Sequence, residues 1–267
     1  MDRSLKKHRE GFRVGKFLPK LLYFLIFLCI WHAVTVIFKL KVFILPSPIR
    51  VFQNIFNPEL ARKYRWFRHI GATLTEVGLS FLATVVVGIS LGIIIAWSKM
   101  LSQIFMPIIT MFNSIPKVAL APVFLLWFGY GLFPNIMIAI LVAFFPLALN
   151  AVTGLTAVDE DLLDLVRYLH ASKLQVFIKI RIPNSMPYIF AGMKLSATMC
   201  VVGAIVGEFI ASEKGLGFLI RDAQAFIDTP TMFGCLILLA VMGLLLFSFI
   251  QLLEKLCMPW NIKKDNA

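Results

Sequence analysis

Residues 159–183 read DEDLLDLVRYLHASKLQVFIKIRIP, a short charged passage set between two long apolar runs. Leu162, Leu165, Val166 and Leu169 recur at i, i+3, i+4 and i+7, which predicts a helix over 159–170 with one apolar face. Asp159, Glu160 and Asp161 fill its first turn, where the helix dipole favours negative charge. Ser172 with Gln175 three residues later is a capping-box pattern, so a second short helix starts there. Leu174, Phe177 and Ile178 form its apolar side. The turn between the two helices falls on His170 and needs a left-handed residue, a region histidine tolerates better than most. Pro183 then sets where the next long helix begins. A charged helical hairpin joined directly to two spanning helices is suited to receiving force from a soluble partner.

The flanks decide the class. Of 267 residues, 60% are hydrophobic and 15% are charged, with a mean hydropathy of +0.87. A soluble domain is nearer half apolar and a quarter charged, so this is an all-α integral membrane protein. At about 20 residues per crossing the length allows roughly five to seven helices. The alternating ten-residue strand segments of a barrel are missing. The formal charge of +12 sits at helix flanks, where it meets anionic headgroups, and nucleic acid is not expected. Cys29, Cys200, Cys235 and Cys257 lie in or beside apolar runs without metal-ligand spacing, and are read as small hydrophobes. No Gly-x-x-x-x-Gly-Lys-Ser/Thr loop occurs, so the chain cannot itself cradle ATP phosphates. No Ser/His/Asp, zinc or paired-carboxylate constellation is read either. The chain is expected to be no enzyme and to need no cofactor.

Six spans emerge, at roughly 17–38, 73–97, 103–130, 134–156, 185–211 and 231–256. Arg3, Lys6, Lys7, Arg9, Arg13 and Lys16 before the first imitate a signal peptide. The run is long and no small-x-small site leads into a mature domain, so an uncleaved first helix is expected. Leu45-Pro46-Ser47-Pro48 turns the chain into Val51, Phe52, Ile55 and Phe56, a pattern suited to lying along the interface. The third span is broken by Pro107, Pro116 and Pro122, with Asn113, Ser114 and Lys117 between them. Broken helices survive in a bilayer only when buried in protein or lining a wet cavity. Lys117 then either faces a pathway or snorkels to an interface. Placing both termini in the cytoplasm puts the N-terminal cluster, Lys99, the hairpin, Lys255, Lys263 and Lys264 on that side. The basic 39–69 segment dissents from this orientation. Glu208, near the outer end of the fifth span, either lines a pathway or gate, or reaches the headgroups. Lys194, fourteen residues away and about 21 Å along a helix, is too distant to pair with it.

The hairpin resembles the cytoplasmic signature of type I ABC importer permeases, Glu-Ala-Ala, three residues, Gly, nine residues, Ile-x-Leu-Pro. Asp164-Leu165-Val166, His170, Ile180, Ile182 and Pro183 fall at those spacings. Asp-Leu-Val replaces the small-residue core, and His170 replaces the glycine. Two further passages are similar to the nitrate/sulfonate/taurine branch, which also includes pyrimidine-precursor and riboflavin importers. One is Ser114-Ile115-Pro116-Lys117-Val118-Ala119-Leu120-Ala121-Pro122 through Leu126-Trp127-Phe128-Gly129-Tyr130-Gly131. The other is Gly207-Glu208-Phe209 leading into Lys214-Gly215-Leu216-Gly217-Phe218-Leu219-Ile220.

The resemblance implies the type I permease fold with six transmembrane helices in a bacterial inner membrane. It divides the chain into 1–69 (tail, first span and interfacial segment), a permease core over 70–255 with the coupling hairpin at 159–182, and a tail over 256–267. Implied partners are a cytoplasmic ABC ATPase dimer, a second permease copy giving a homodimer, a substrate-binding protein on the outer face, and membrane lipids. Residues implied in ATPase coupling are Asp164, Leu165, Val166, Arg167, His170, Ala171, Ser172, Ile180 and Pro183. Asn113, Ser114, Lys117 and Glu208 are implied in the pathway or gate. The cargo would be a small polar solute, either a nitrate-, sulfonate- or taurine-like anion or a pyrimidine or vitamin precursor. Lys117 belongs to the shared pattern and so does not itself identify an anion. A secondary transporter or channel needing no ATP calls for charge pairs in several spans or inverted-repeat symmetry, and neither is read here. A non-transporting scaffold has no need of the proline-broken span.

Overall fold

The computed structural model describes Pro19 and residues 22–259, and every regular element among them is a helix. The basic cluster Arg3–Lys16, the start of the first apolar run, Lys263 and Lys264 lie outside the described residues. α1 covers Leu22–Ile37. Four helices are long and apolar enough to cross a bilayer. They are α4 (Trp66–Ala96), α7 (Leu132–Thr156), the run Lys173–Ile210 containing α10 (Ile182–Ala211), and α12 (Thr229–Cys257).

A further candidate span is bent, as the prolines foretell. α5 (Lys99–Asn113) meets the run Lys117–Phe128 at 78°. Only one proline sits at the break. Pro107 is carried inside α5, and Pro122 lies in the first turn of α6 (Ala121–Phe128), where a missing N–H costs nothing. The chain turns at Ser114-Ile115-Pro116 and enters a 3-10 turn at Lys117–Leu120.

Two compact units make up the chain. The first holds the described residues up to Tyr64 together with Asp222–Gly234. In it, α2 (Pro48–Phe56) buries Pro48, Val51 and Asn54, and Asn57 caps α3 (Pro58–Lys63) by accepting from the Glu59 amide. Asn54 donates to the Thr231 hydroxyl at 3.0 Å. The Tyr64 hydroxyl donates to Asp228 at 2.6 Å, and the Thr229 hydroxyl to the Phe43 carbonyl at 2.9 Å. The expected interfacial face of α2 therefore divides, with Val51 buried in the unit and Phe56 exposed.

The second unit holds Arg65–Arg221 and the residues from Cys235 onward. α7 forms its centre: Ile138, Ala139, Leu147, Ala151, Val152 and Leu155 are wholly buried between α4 and α10. Lipid tails are as apolar as leucine, so close packing and interhelical hydrogen bonds have to hold spanning helices together. Both are present. A Cβ on Gly203 would stand 2.5 Å from the Ala139 Cα, and one on Gly92 would stand 2.6 Å from the Ala151 Cβ. The Ser196 hydroxyl donates to the Ala143 carbonyl at 2.7 Å. Lys194, which Glu208 is too far along α10 to reach, pairs instead with Glu254 of α12 at 2.5 Å.

Gly203→Ala should force α7 and α10 apart and cost about 1–3 kcal/mol. Gly71→Ala, with nothing within 4 Å of its new Cβ, should be neutral or stabilising by up to about 1 kcal/mol. Thermal unfolding of the purified variants in detergent compares the two.

Candidate functional site

The hairpin is built largely from its own backbone. α8 (Glu160–Tyr168) starts at Asp159, whose carboxylate accepts from the Asp161 amide at 3.0 Å. At its far end the His170 amide donates to the Arg167 carbonyl at 2.9 Å and the Ala171 amide to the Val166 carbonyl at 3.0 Å. That pair of bonds is a Schellman close, with His170 at φ 54° in the left-handed position where glycine is usual. α9 (Lys173–Val176) carries both halves of the expected capping box. The Ser172 amide donates to Gln175 at 2.8 Å, and the Gln175 amide to the Ser172 hydroxyl at 3.3 Å.

The end of the hairpin differs from expectation. Pro183 does not begin a separate helix, because a π-helical turn over Phe177–Arg181 runs unbroken into α10. The Ile182 amide reaches back to the Phe177 carbonyl, and the wider turn keeps the proline ring clear of the carbonyl it would strike at α spacing. Phe177 also leaves the outer apolar face predicted for it. It is buried against Ala96 and Leu155 and packs on Trp97, ring centroids 5.0 Å apart.

Three spanning helices thereby hold the hairpin. The Arg181 guanidinium donates to the Ala96 carbonyl at the end of α4 at 3.0 Å. Asn184 donates to the Ala157 carbonyl just beyond α7, also at 3.0 Å, and α10 is continuous with the π turn. Leu165, Leu169, Leu174 and Ile178 remain more than half exposed, with Tyr168 exposed beside them. Val166, Ala171 and Ile180 are half-buried, whereas Ser172 and Pro183 are exposed. Asp164 and Arg167 pair at 2.6 Å on the open surface, where such a pair contributes little.

Asn113, Ser114 and Lys117 lie apart from the hairpin, at the bend after α5. The Lys117 ammonium donates to the Asn113 backbone carbonyl at 2.6 Å and its side-chain carbonyl at 3.0 Å, over the Phe145 ring at 5.0 Å. It caps the C-terminus of α5, a role neither sequence alternative foresaw. Asn113 and Ser114 are exposed, and the Ser114 hydroxyl donates to the Thr110 carbonyl at 3.2 Å.

Glu208, expected to line a pathway or gate or to reach the headgroups, has a wholly buried side chain. It accepts from the Thr73 hydroxyl at 2.6 Å and the Gly217 amide at 2.7 Å. Thr73 in turn accepts from the Leu216 amide at 2.8 Å, and His69 from the Gly215 amide at 3.1 Å. Together they fasten the loop between α10 and α11 (Leu216–Ala225) onto α4. Gly215, at φ 110°, has no Cβ to collide with the Glu208 carboxyl. Glu76 of α4, also wholly buried, brings its carboxyl within hydrogen-bonding reach of Glu208 and accepts from Asn135 of α7 at 3.2 Å. Two carboxyls remote in sequence are thus neighbours inside the bundle. Glu76, alone among the acidic residues in its apolar run, carries the same signal that picked out Glu208.

Glu208→Ala should strand the Gly217 amide, leave Thr73 only the His69 carbonyl as acceptor, and cost about 1–3 kcal/mol. Gly215→Ala should add backbone strain to a collision and be at least as damaging. Thermal unfolding in detergent, with proteolysis at 212–217 as the local readout, tests both. His170→Gly should leave stability unchanged or higher by about 1 kcal/mol.

Residues 88–257 match the family described as binding-protein-dependent transport system inner membrane component. The chain is 29% identical to the formylaminopyrimidine transport permease protein of Halalkalibacterium halodurans, over 91% of this chain and 96% of that one. It is 30% identical to a putative aliphatic sulfonates transport permease protein of Bacillus subtilis, covering 96% and 90% of the two. In fold it is similar to a chain of the MetNI methionine ABC transporter in an inward-facing form, with a TM-score of 0.61 at 18% identity, over 70% of this chain and 93% of that one. With its signature hairpin, its bent span and its buried α4–α7–α10 core, the chain belongs to the binding-protein-dependent inner membrane components, the permease subunits of ABC importers.

Proposed function

We propose that residues 159–181 are the surface through which a pair of cytoplasmic ATPases drives this permease, which works as a homodimer and receives cargo from a binding protein on the outer face. The observation that carries this reading is the contrast between the two sides of the hairpin. One side is anchored to the ends of α4, α7 and α10. The other offers Leu165, Tyr168, Leu169, Leu174 and Ile178 uncovered, rimmed by charge. Such a surface suits a groove on a partner, the apolar side chains contributing affinity and Asp164, Arg167 and Lys173 contributing register.

The direction of force follows from the anchoring. When ATP draws the ATPases together, a hairpin fixed at three helix ends carries those helices with it as a body. His170 and Ser172 keep the two short helices in fixed register, so displacement is not lost in the turn. Both termini then lie on the cytoplasmic side with the hairpin. Asn113, Ser114 and Lys117, at a bend whose polar backbone needs protein or water around it, border the translocation pathway. The cargo is a small polar solute of the range carried by such importers, from sulfonate-like anions to pyrimidine precursors. Glu208 acts on transport by holding the loop that closes the outer end of α10.

Deleting 162–178, or introducing Leu165→Asp with Leu174→Asp, should leave membrane insertion intact. ATPase co-purification should fall at least tenfold, and ATP-dependent uptake in reconstituted vesicles should be lost. Unchanged uptake by either variant contradicts the proposal.

A further inference from the structure

Behind the hairpin, on the side away from its open apolar face, lies a cavity of about 620 Å³. Trp97, Lys99, Arg167, Lys173, Phe177 and Arg181 contribute to its wall. Four of the ten lining residues are cations, and no carboxylate lines the cavity. Asp164 neutralises one of them, Arg167. Among the described residues no acidic side chain pairs with Lys99, Lys173 or Arg181. Arg181 spends one donor on the neutral Ala96 carbonyl and keeps its charge unanswered. Three uncompensated positive charges around one concavity call for an anion.

The surroundings say which anion. Trp97 is the first residue after a 31-residue apolar helix and is half exposed, with its ring on Phe177. Indoles at the ends of spanning helices sit at headgroup level. Ser98 is the N-cap of α5 and its hydroxyl caps nothing, which leaves first-turn amides of a 15-residue helix as further donors beside Lys99. Cations, helix amides and an interfacial tryptophan, at the edge of the hydrocarbon and backed by Phe177, match a phosphodiester attached to acyl chains. We propose that this cavity binds the headgroup of an anionic phospholipid, its phosphate held by Lys99, Lys173 and Arg181. The assignment rests on reading the hairpin as cytoplasmic, where the inner leaflet supplies such lipids. A bound headgroup would fill the space between the hairpin and the α4–α5 turn, beside the Arg181–Ala96 bond and the packing of Phe177 on Trp97 and Ala96.

The test uses the full permease with its ATPase, purified in detergent and titrated with phosphatidylglycerol, phosphatidylcholine or inorganic phosphate. Native mass spectrometry reads retained lipid, and thermal unfolding reads stabilisation. Phosphatidylglycerol should be retained and should raise the unfolding temperature, while phosphatidylcholine and inorganic phosphate should do neither. Lys99→Gln with Lys173→Gln, both exposed and free of structural bonds, should weaken retention by roughly thirtyfold. Lys179→Gln with Lys255→Gln, which removes equal charge outside the cavity, should leave it unchanged. Equal retention of the two lipids, equal loss in both double variants, or stabilisation by inorganic phosphate would each overturn the proposal. Lipid retention intact in the Lys99/Lys173 variant, whether or not the ATPase stays bound, would also overturn it. Because lipid retention is measured independently of uptake, a failure of hairpin coupling shows separately, as hairpin deletion that leaves the ATPase bound.

Discussion

A backbone group inside a bilayer has no water to turn to, and three breaks in the helices of this protein answer that shortage. Where α5 ends, the Lys117 ammonium takes the Asn113 carbonyl. Where α10 gives way to the next loop, Glu208, Thr73 and His69 take the amides of Gly217, Leu216 and Gly215 in turn. Where Pro183 would collide with the turn before it, the helix widens rather than breaking. Each solution ties a point of possible flexibility to a neighbouring element. The result is a set of spans whose breaks are themselves anchors.

The hairpin extends the same rule to the membrane surface. Its two helices are short, and α9 is a single turn, too short to persist alone. The Schellman close at His170, the capping box at Ser172 and the buried Phe177 ring make the pair one unit. Arg181 and Asn184 then fix that unit to α4 and to the end of α7, while α10 leaves it without a joint. A flexible tether could recruit a partner but could not transmit displacement. Under the proposed coupling, rigidity at this elbow is what lets an energy source on another polypeptide move the spans.

Local features are legible in the sequence. The apolar runs, the proline-marked bend, the capping box and the left-handed turn at His170 all depend on residues within about one helical turn of each other. What the chain hides is pairing across distance. Glu76 meets Glu208, Lys194 meets Glu254 and Arg181 meets Ala96 only after α4, α7, α10 and α12 have packed. Lys117 stands out in the sequence as an intramembrane charge, but the carbonyl it meets does not. The carbonyl it caps becomes an orphan only because Pro116 ends the helix there. Glu76 is plainly isolated in an apolar run, but its partners, Asn135 and Glu208, are remote in sequence.

Transmission through a rigid elbow is tested most directly by distance measurement in the assembled importer. Spin labels at Tyr168 on the hairpin and Glu213 beyond the far end of α10, both on one protomer, report how far the hairpin moves against its own spans. Rigid transmission predicts that this distance stays constant when ATP binds, while the separation between the Tyr168 labels of two protomers changes. A shift within one protomer as large as the shift between protomers would mean that the elbow bends, and would contradict it.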